Sequence, residues 1–164
     1  MELTANFGYH LLHVAAIAGR QADQLLQERL GIGLSQYKLL RIIEHRGEGV
    51  IRQRQLAKCL GQTEASISRQ VKLLSEKSLI RTAINPKSRR DHQAELTEKG
   101  AKVLLASSEI LQTYFQRIIA DLDDKQQMQF VENLLQIHQS VCAAGKPFAC
   151  DQSFKEITKQ KKEM

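Results

Sequence analysis

Residues 62–80, QTEASISRQVKLLSEKSLI, hold the feature that most limits what this chain can become. Ile67, Val71 and Leu74 recur at i, i+4 and i+7, so a helix here buries one narrow stripe. The other side of its first two turns carries Thr63, Glu64, Ala65, Ser66, Ser68, Arg69, Gln70 and Lys72. Those residues are short and polar at the helix entry, then long and rich in hydrogen-bonding groups. A helix with that face is either solvated or laid against a polar partner. Just upstream, QRQLAKCLG predicts a short helix that buries Leu56, Ala57 and Leu60 and stops at Gly61. Thr63 is placed to cap the next helix, which reaches about Lys77.

The segment downstream of this helix decides between solvent and partner. LIRTAI, 79–84, has the β-branched content of a strand, and HQAELT, 92–97, returns as its mate. Between them NPKSRRD, 85–91, combines Asn-Pro with three cations and predicts an exposed loop. Residues 52–102 hold 12 Lys/Arg against 5 Asp/Glu, while the remainder holds 12 against 13. All the excess positive charge of a +6 chain therefore sits in this block, which suggests a polyanionic partner. Two short helices around a glycine turn, followed by a basic-tipped hairpin, form the pattern of a helix-turn-helix with a wing. The small residues at 63–66 allow close approach to base edges, and the helix dipole favours phosphate there. Arg69 and Gln70 are types that pair bidentately with guanine or adenine. The wing is able to place an arginine in the adjacent minor groove. A solvated face would account for residues 63–72 alone, but not for this order of elements with the charge inside it.

The flanks read as helices. Residues 5–30 carry Leu11, Leu12, Val14, Ala15, Ala18, Ala22, Leu25, Leu26 and Leu30 on or near one face, and GIG breaks the run. A second helix, about 34–46, buries Tyr37, Leu40 and Ile43, with Gln36 placed to close a cap at Gly33. RGEG, 46–49, predicts a turn and VIR, 50–52, only a very short strand. From Glu98 a long stripe runs through Val103, Leu104, Leu111, Phe115, Ile118, Ile119 and Leu122. DLDD then offers a stop and a new N-cap before Met128, Val131, Leu134, Leu135, His138, Val141 and Cys142. Residues 148–164 are polar and predict a mobile tail or a weak extra helix. At 164 residues the chain fits one domain, and 5% aromatics without tryptophan suits a mainly α fold. No apolar run approaches the ~18 residues of a membrane span, and the acidic start lacks a signal peptide's basic region. Three cysteines, Cys59, Cys142 and Cys150, at unrelated spacings fit a reducing cytoplasm. Cys59 reads as a small core residue, and Cys150 as the cysteine best placed for exposure. Paired carboxylates, a nucleophile elbow, a phosphate loop and a metal cluster are all missing, so neither an enzyme nor a cofactor is expected. Glu44-His45 makes a poor metal pair, since adjacent helical residues diverge.

The stretch QLAKCLGQTEASISRQVKLLSEKSLIRTAINPKSRRDHQAELTEKGAKVL resembles the MarR family of winged helix-turn-helix regulators. The family's LT-x-x-G signature stands as Leu96-Thr97-Glu98-Lys99-Gly100, and its basic wing pair as Arg89-Arg90. The order of helices extends the resemblance over roughly residues 5–144. It implies a mainly α domain with a small β-hairpin wing over 1–144, followed by a polar tail, 145–164. Within that domain it implies a DNA-binding lobe at about 50–102 and dimerisation helices at 1–32 and 103–144. It implies a homodimer on a palindromic double-stranded operator, acting as a ligand-responsive repressor. The competing reading is an architectural or partner-recruiting winged helix without ligand control. Arg90 would enter the minor groove, with Arg89 or Lys87 on phosphates. A small anionic or aromatic effector would meet Tyr9, His10, His13, Arg20 and Tyr37, each of which also reads as a packing residue. Two positions depart from the pattern. Ser88 stands where the family has an Asp that braces the wing arginine, and Ser78 where it has the glycine ending the recognition helix.

Overall fold

A computed structural model describes residues 3–46, 50–51, 56–57, 60–85 and 88–144. The first helix, α1 (Leu3–Leu30), ends at Gly31, and α2 (Leu34–Arg46) begins three residues later. Both orphan amides at that corner find side-chain acceptors. The Gly33 amide donates to Gln36 Oε1 at 3.1 Å, as the sequence predicts. The Leu34 amide donates to Asp23 Oδ1 at 2.7 Å, so a carboxylate one helix back caps α2.

Strand β1 (Val50–Ile51) is as short as expected. Helical backbone follows at Leu56, Ala57 and Leu60, and Gly61 turns the chain at φ +63°, a conformation that favours glycine. Helix α3 (Glu64–Glu76) starts on Thr63, whose hydroxyl accepts from the Ser66 amide at 3.1 Å. It leaves through Ser78 at φ 57°, so a serine occupies a left-handed position that favours glycine.

Strands β2 (Ile80–Asn85) and β3 (Ser88–Leu96) form an antiparallel hairpin, and β1 joins the outer edge of β3, giving the order β1-β3-β2. This corrects the expectation of a loop over 85–91. Pairing continues out to Asn85 opposite Ser88, past an irregularity at Ile84/Asn85, because a ribbon needs only its backbone groups to extend beyond the core. Helix α4 (Glu98–Ile118) caps on Thr97. Helix α5 (Asp124–Ala144) starts from a reciprocal pair at the end of the DLDD segment. The Asp123 amide donates to Gln126 Oε1 at 3.0 Å, and the Gln126 amide to Asp123 Oδ1 at 2.9 Å.

The core gathers Leu26, Ile32, Leu39, Leu40, Ile43, Leu56, Ile67 and Leu74, all fully buried, with Leu79, Ile80, Ala94, Leu104 and Leu111 around them. The LTEKG segment is the joint that closes it. Thr97 Oγ1 accepts from the Gly100 amide at 2.9 Å and donates to the Ser78 carbonyl at 2.7 Å. Gly100 lies so close to the α3–β2 turn that a Cβ would fall 1.9 Å from the Leu79 carbonyl oxygen. No other residue fits there without moving backbone.

Outside this core the apolar stripes stand uncovered. Leu11, Leu12 and Val14 of α1, Phe115 and Ile118 of α4, and Met128, Phe130, Val131, Leu134 and Val141 of α5 are exposed. Only the C-terminal half of α1, through Ala22 and Leu26, enters the core of its own chain.

Candidate DNA-binding interface

Helix α3 presents the face the sequence singled out, in two parts. Thr63, Glu64, Ala65, Ser68, Arg69 and Lys72 are exposed, whereas Ser66 and Gln70 are half-buried on the flank beside the core stripe. The Arg69 Nε donates to the Ala65 carbonyl at 3.5 Å, which lays its guanidinium along the outward stripe. Lys72 Nζ lies 3.8 Å from Glu76 across one turn, an exposed pair that a phosphate could displace. Leu73 is a residue that sequence reasoning missed. It is 46% exposed, and its i+4 spacing from Arg69 was the available signal that it joins the same stripe.

The flank residues are engaged internally. Gln62 Nε2 donates to Ser35 Oγ on α2 at 2.5 Å, and Gln62 Oε1 accepts from Ser66 Oγ at 3.1 Å and from Gln70 Nε2 at 2.7 Å. The other amide oxygen, Gln70 Oε1, is buried without a partner.

The wing is present as backbone. Arg89 and Arg90 lie in β3 just beyond the hairpin end, and Ser88 pairs with Asn85. Lys87 lies outside the described residues, as do Cys59, Cys150, most of the 46–49 turn and the 145–164 tail. The wing is rooted where α3 ends: Lys99 Nζ donates to the Lys77 carbonyl at 2.9 Å, and Lys77 Nζ donates to the Gly31 carbonyl.

Of the five effector-pocket candidates, Tyr9, His10 and His13 cluster on the start of α1, whereas Arg20 and Tyr37 lie elsewhere in the single chain. Tyr9 is exposed and stacks on His13, ring centroids 5.6 Å apart. His10 lines a cavity of about 780 Å³ between the start of α1 and α5, with Phe7, Leu11, Val14, Phe130 and Leu134. Arg20 borders a smaller cleft of about 320 Å³ with Asp23, Ser35 and Lys38. Tyr37 is buried, its hydroxyl 3.5 Å from Ser108 Oγ and its ring under the Arg41 guanidinium. Among the described residues, no three His, Cys, Asp or Glu side chains group to hold a metal ion. No helix among them is long and apolar enough to cross a membrane.

The helix–turn–helix at 56–76, the hairpin hinged on Gly100 and the flanking long helices define a winged helix-turn-helix protein. Residues 30–91 match the MarR family model. Solved structures share the whole arrangement at low sequence identity. The transcriptional regulator BldR from Sulfolobus solfataricus is 20% identical with a TM-score of 0.74, covering 88% of this chain and 100% of its own. The Staphylococcus aureus MepR–DNA complex is 22% identical with a TM-score of 0.64, covering 85% and 99%. A Mycobacterium tuberculosis MarR family protein in complex with salicylic acid is 21% identical with a TM-score of 0.65, covering 79% and 94%. Comparison with curated protein sequences gives no match.

Proposed function

We propose that this protein is a sequence-specific DNA-binding transcriptional regulator, working in the cytoplasm as a homodimer on a palindromic operator and repressing from it. One observation carries the reading. The outward stripe of α3, with Ala65, Ser68, Arg69 and Lys72, stands on a rigid, fully packed lobe inside the block that holds the chain's excess positive charge. A preorganised helix of this width fits the major groove, with Arg69 as base reader and the Arg89-Arg90 wing on the neighbouring minor groove and phosphates. The uncovered stripes on α1, α4 and α5 supply the twofold contact that would set two such helices a helical turn of DNA apart. That a MepR structure contains DNA supports the reading.

Release by a small anionic or aromatic ligand is the finer part of the proposal, supported by the salicylic acid held in one relative. The alternative, a winged helix without ligand control, is favoured by the separation of the Tyr9–His10–His13 cluster from Arg20 and from Tyr37 in one chain. The test begins with an operator selected by the wild-type protein from random DNA. Arg69→Ala should cost about 1–3 kcal/mol on that operator and little on random DNA, and Arg90→Ala should weaken both and flatten the salt dependence. Equal losses for Arg69→Ala on both DNAs would leave it a phosphate contact and end the groove-reading claim. Adding small aromatic acids to the complex then separates the two readings: dissociation supports ligand control, and an unchanged complex supports the architectural module.

A further inference from the structure

Gln62 lies in the turn between the two helices of the DNA-binding motif, and its main-chain amide donates a hydrogen bond to the Ala57 carbonyl at 2.9 Å. Its side chain therefore projects from a fixed point. From there one amide group meets three others: Ser35 in the first turn of α2, and Ser66 and Gln70 in the first two turns of α3. Donor and acceptor are both used, and all four side chains are half-buried among polar neighbours and not dissolved in water.

Ser66 and Gln70 are one turn apart, on the flank of α3 between the buried line of Ile67 and Leu74 and the outward line of Ala65 and Arg69. The apolar line alone holds α3 on the core but resists roll poorly, because small rotations exchange one methyl contact for another. Directional hydrogen bonds on one flank do resist roll. Groove reading needs this, since a binding side chain must be held within about 0.5 Å and 10–20° of its productive geometry. The arrangement also has a cost that stability alone would not select. Gln70 Oε1 is buried with no partner, an orphan that a leucine at this position would avoid.

We propose that Gln62 is a positioning residue for DNA reading: its side-chain amide ties Ser35 of α2 to Ser66 and Gln70 of α3 and so sets the roll that aims Arg69. Gln70 then acts from inside the lobe, holding the helix, and not as a base reader. The proposal rests on the groove-reading function assigned to α3.

The experiment uses the full chain and an operator selected from random DNA by the wild type. Gln62→Ala and Arg69→Ala are measured singly and together, on the operator and on random DNA, over a salt series. Gln62→Ala should lower operator affinity about tenfold and leave random-DNA affinity and the salt slope unchanged. Arg69→Ala should then cost far less in the Gln62→Ala background, because its target has already been lost. Additive losses, or an equal loss on random DNA, overturn the proposal while leaving groove reading intact. Failure to select any operator overturns both. Should Gln62→Ala unfold, Ser35→Ala detaches only the α2 end and should show the same selective, non-additive loss at smaller size. In thermal unfolding, Ser35→Ala and Gln70→Leu should be coupled through Gln62, and strictly additive effects would count against the tie.

Discussion

The lobe built around α3 and the outer region of α1, α4 and α5 follow opposite rules. In the lobe the helices close their core stripes within the chain, Leu73 of α3 apart, and Leu39, Leu40, Leu56, Ile67 and Leu74 lose all contact with water. In the outer region the same kind of stripe stays open: Phe7 is 49% exposed, Phe130 45% and Val141 66%, and α5 contributes no fully buried residue among those described. The lobe is complete by itself. The outer helices are patterned for a surface that one chain does not contain, since a monomer rarely keeps so long an apolar band in water.

The sharpest way to break that contrast is to charge the open side. We expect wild-type protein to run at twice the 18.6 kDa chain mass. Leu11→Asp combined with Leu134→Asp, both on the cavity between α1 and α5, should yield monomers whose operator affinity falls at least about a hundredfold, the loss expected when two linked sites become one. A wild-type mass of one chain across micromolar concentrations in light scattering would mean the open stripes have no twin.

Glycines sharpen the comparison at a smaller scale. Gly100→Ala forces a Cβ onto the Leu79 carbonyl and should destabilise the lobe by about 3 kcal/mol or more in urea unfolding, the upper end of overpacking. Gly19→Ala in α1 meets nothing within 4 Å and should stabilise by about 0.5–1 kcal/mol. Similar effects at the two sites would erase the distinction between closed and open packing. A change as small as that at Gly19 is expected at Ser78. Replacing it with glycine relieves a left-handed serine and should raise stability by about 0.5–1 kcal/mol, read as a higher midpoint; a lower one would show that the serine side chain itself stabilises the turn.

Features that depend on a few neighbouring residues were legible before the structure. The Thr63 cap, the Gln36 closure at Gly33 and the restart at DLDD each need a donor and acceptor only three residues apart. The LTEKG segment was legible as a signature, but its physical reason, the approach of Gly100 to Leu79, needs two segments folded together. Gln70 shows the limit most clearly. Its spacing from Arg69 allowed either face, and what turns it inward is Gln62, anchored in turn by Ser35, 27 residues away. The extent of the wing strands was misjudged because Asn-Pro and three cations signal a loop, whereas pairing across a ribbon is indifferent to side-chain charge. The effector candidates shared a resemblance and only partly a location: Tyr9, His10 and His13 meet on α1, and a single chain keeps Arg20 and Tyr37 apart from them.

The two lysines at the root of the wing bear on how the chain will titrate with salt. Lys77 and Lys99 both belong to the basic block, yet their ammonium groups sit on carbonyls at the C-terminal ends of α1 and α3, the negative poles of those helices. Each offsets a helix dipole end, so reaching for a distant phosphate would weaken that bond. The number of counterions displaced when DNA binds should therefore fall short of the number of cations in the block. Conversely, salt that strips the protein from DNA does not screen the neutral Thr97 bonds to the Ser78 and Leu79 carbonyls, and the wing should stay hinged to α3 after the complex has come apart.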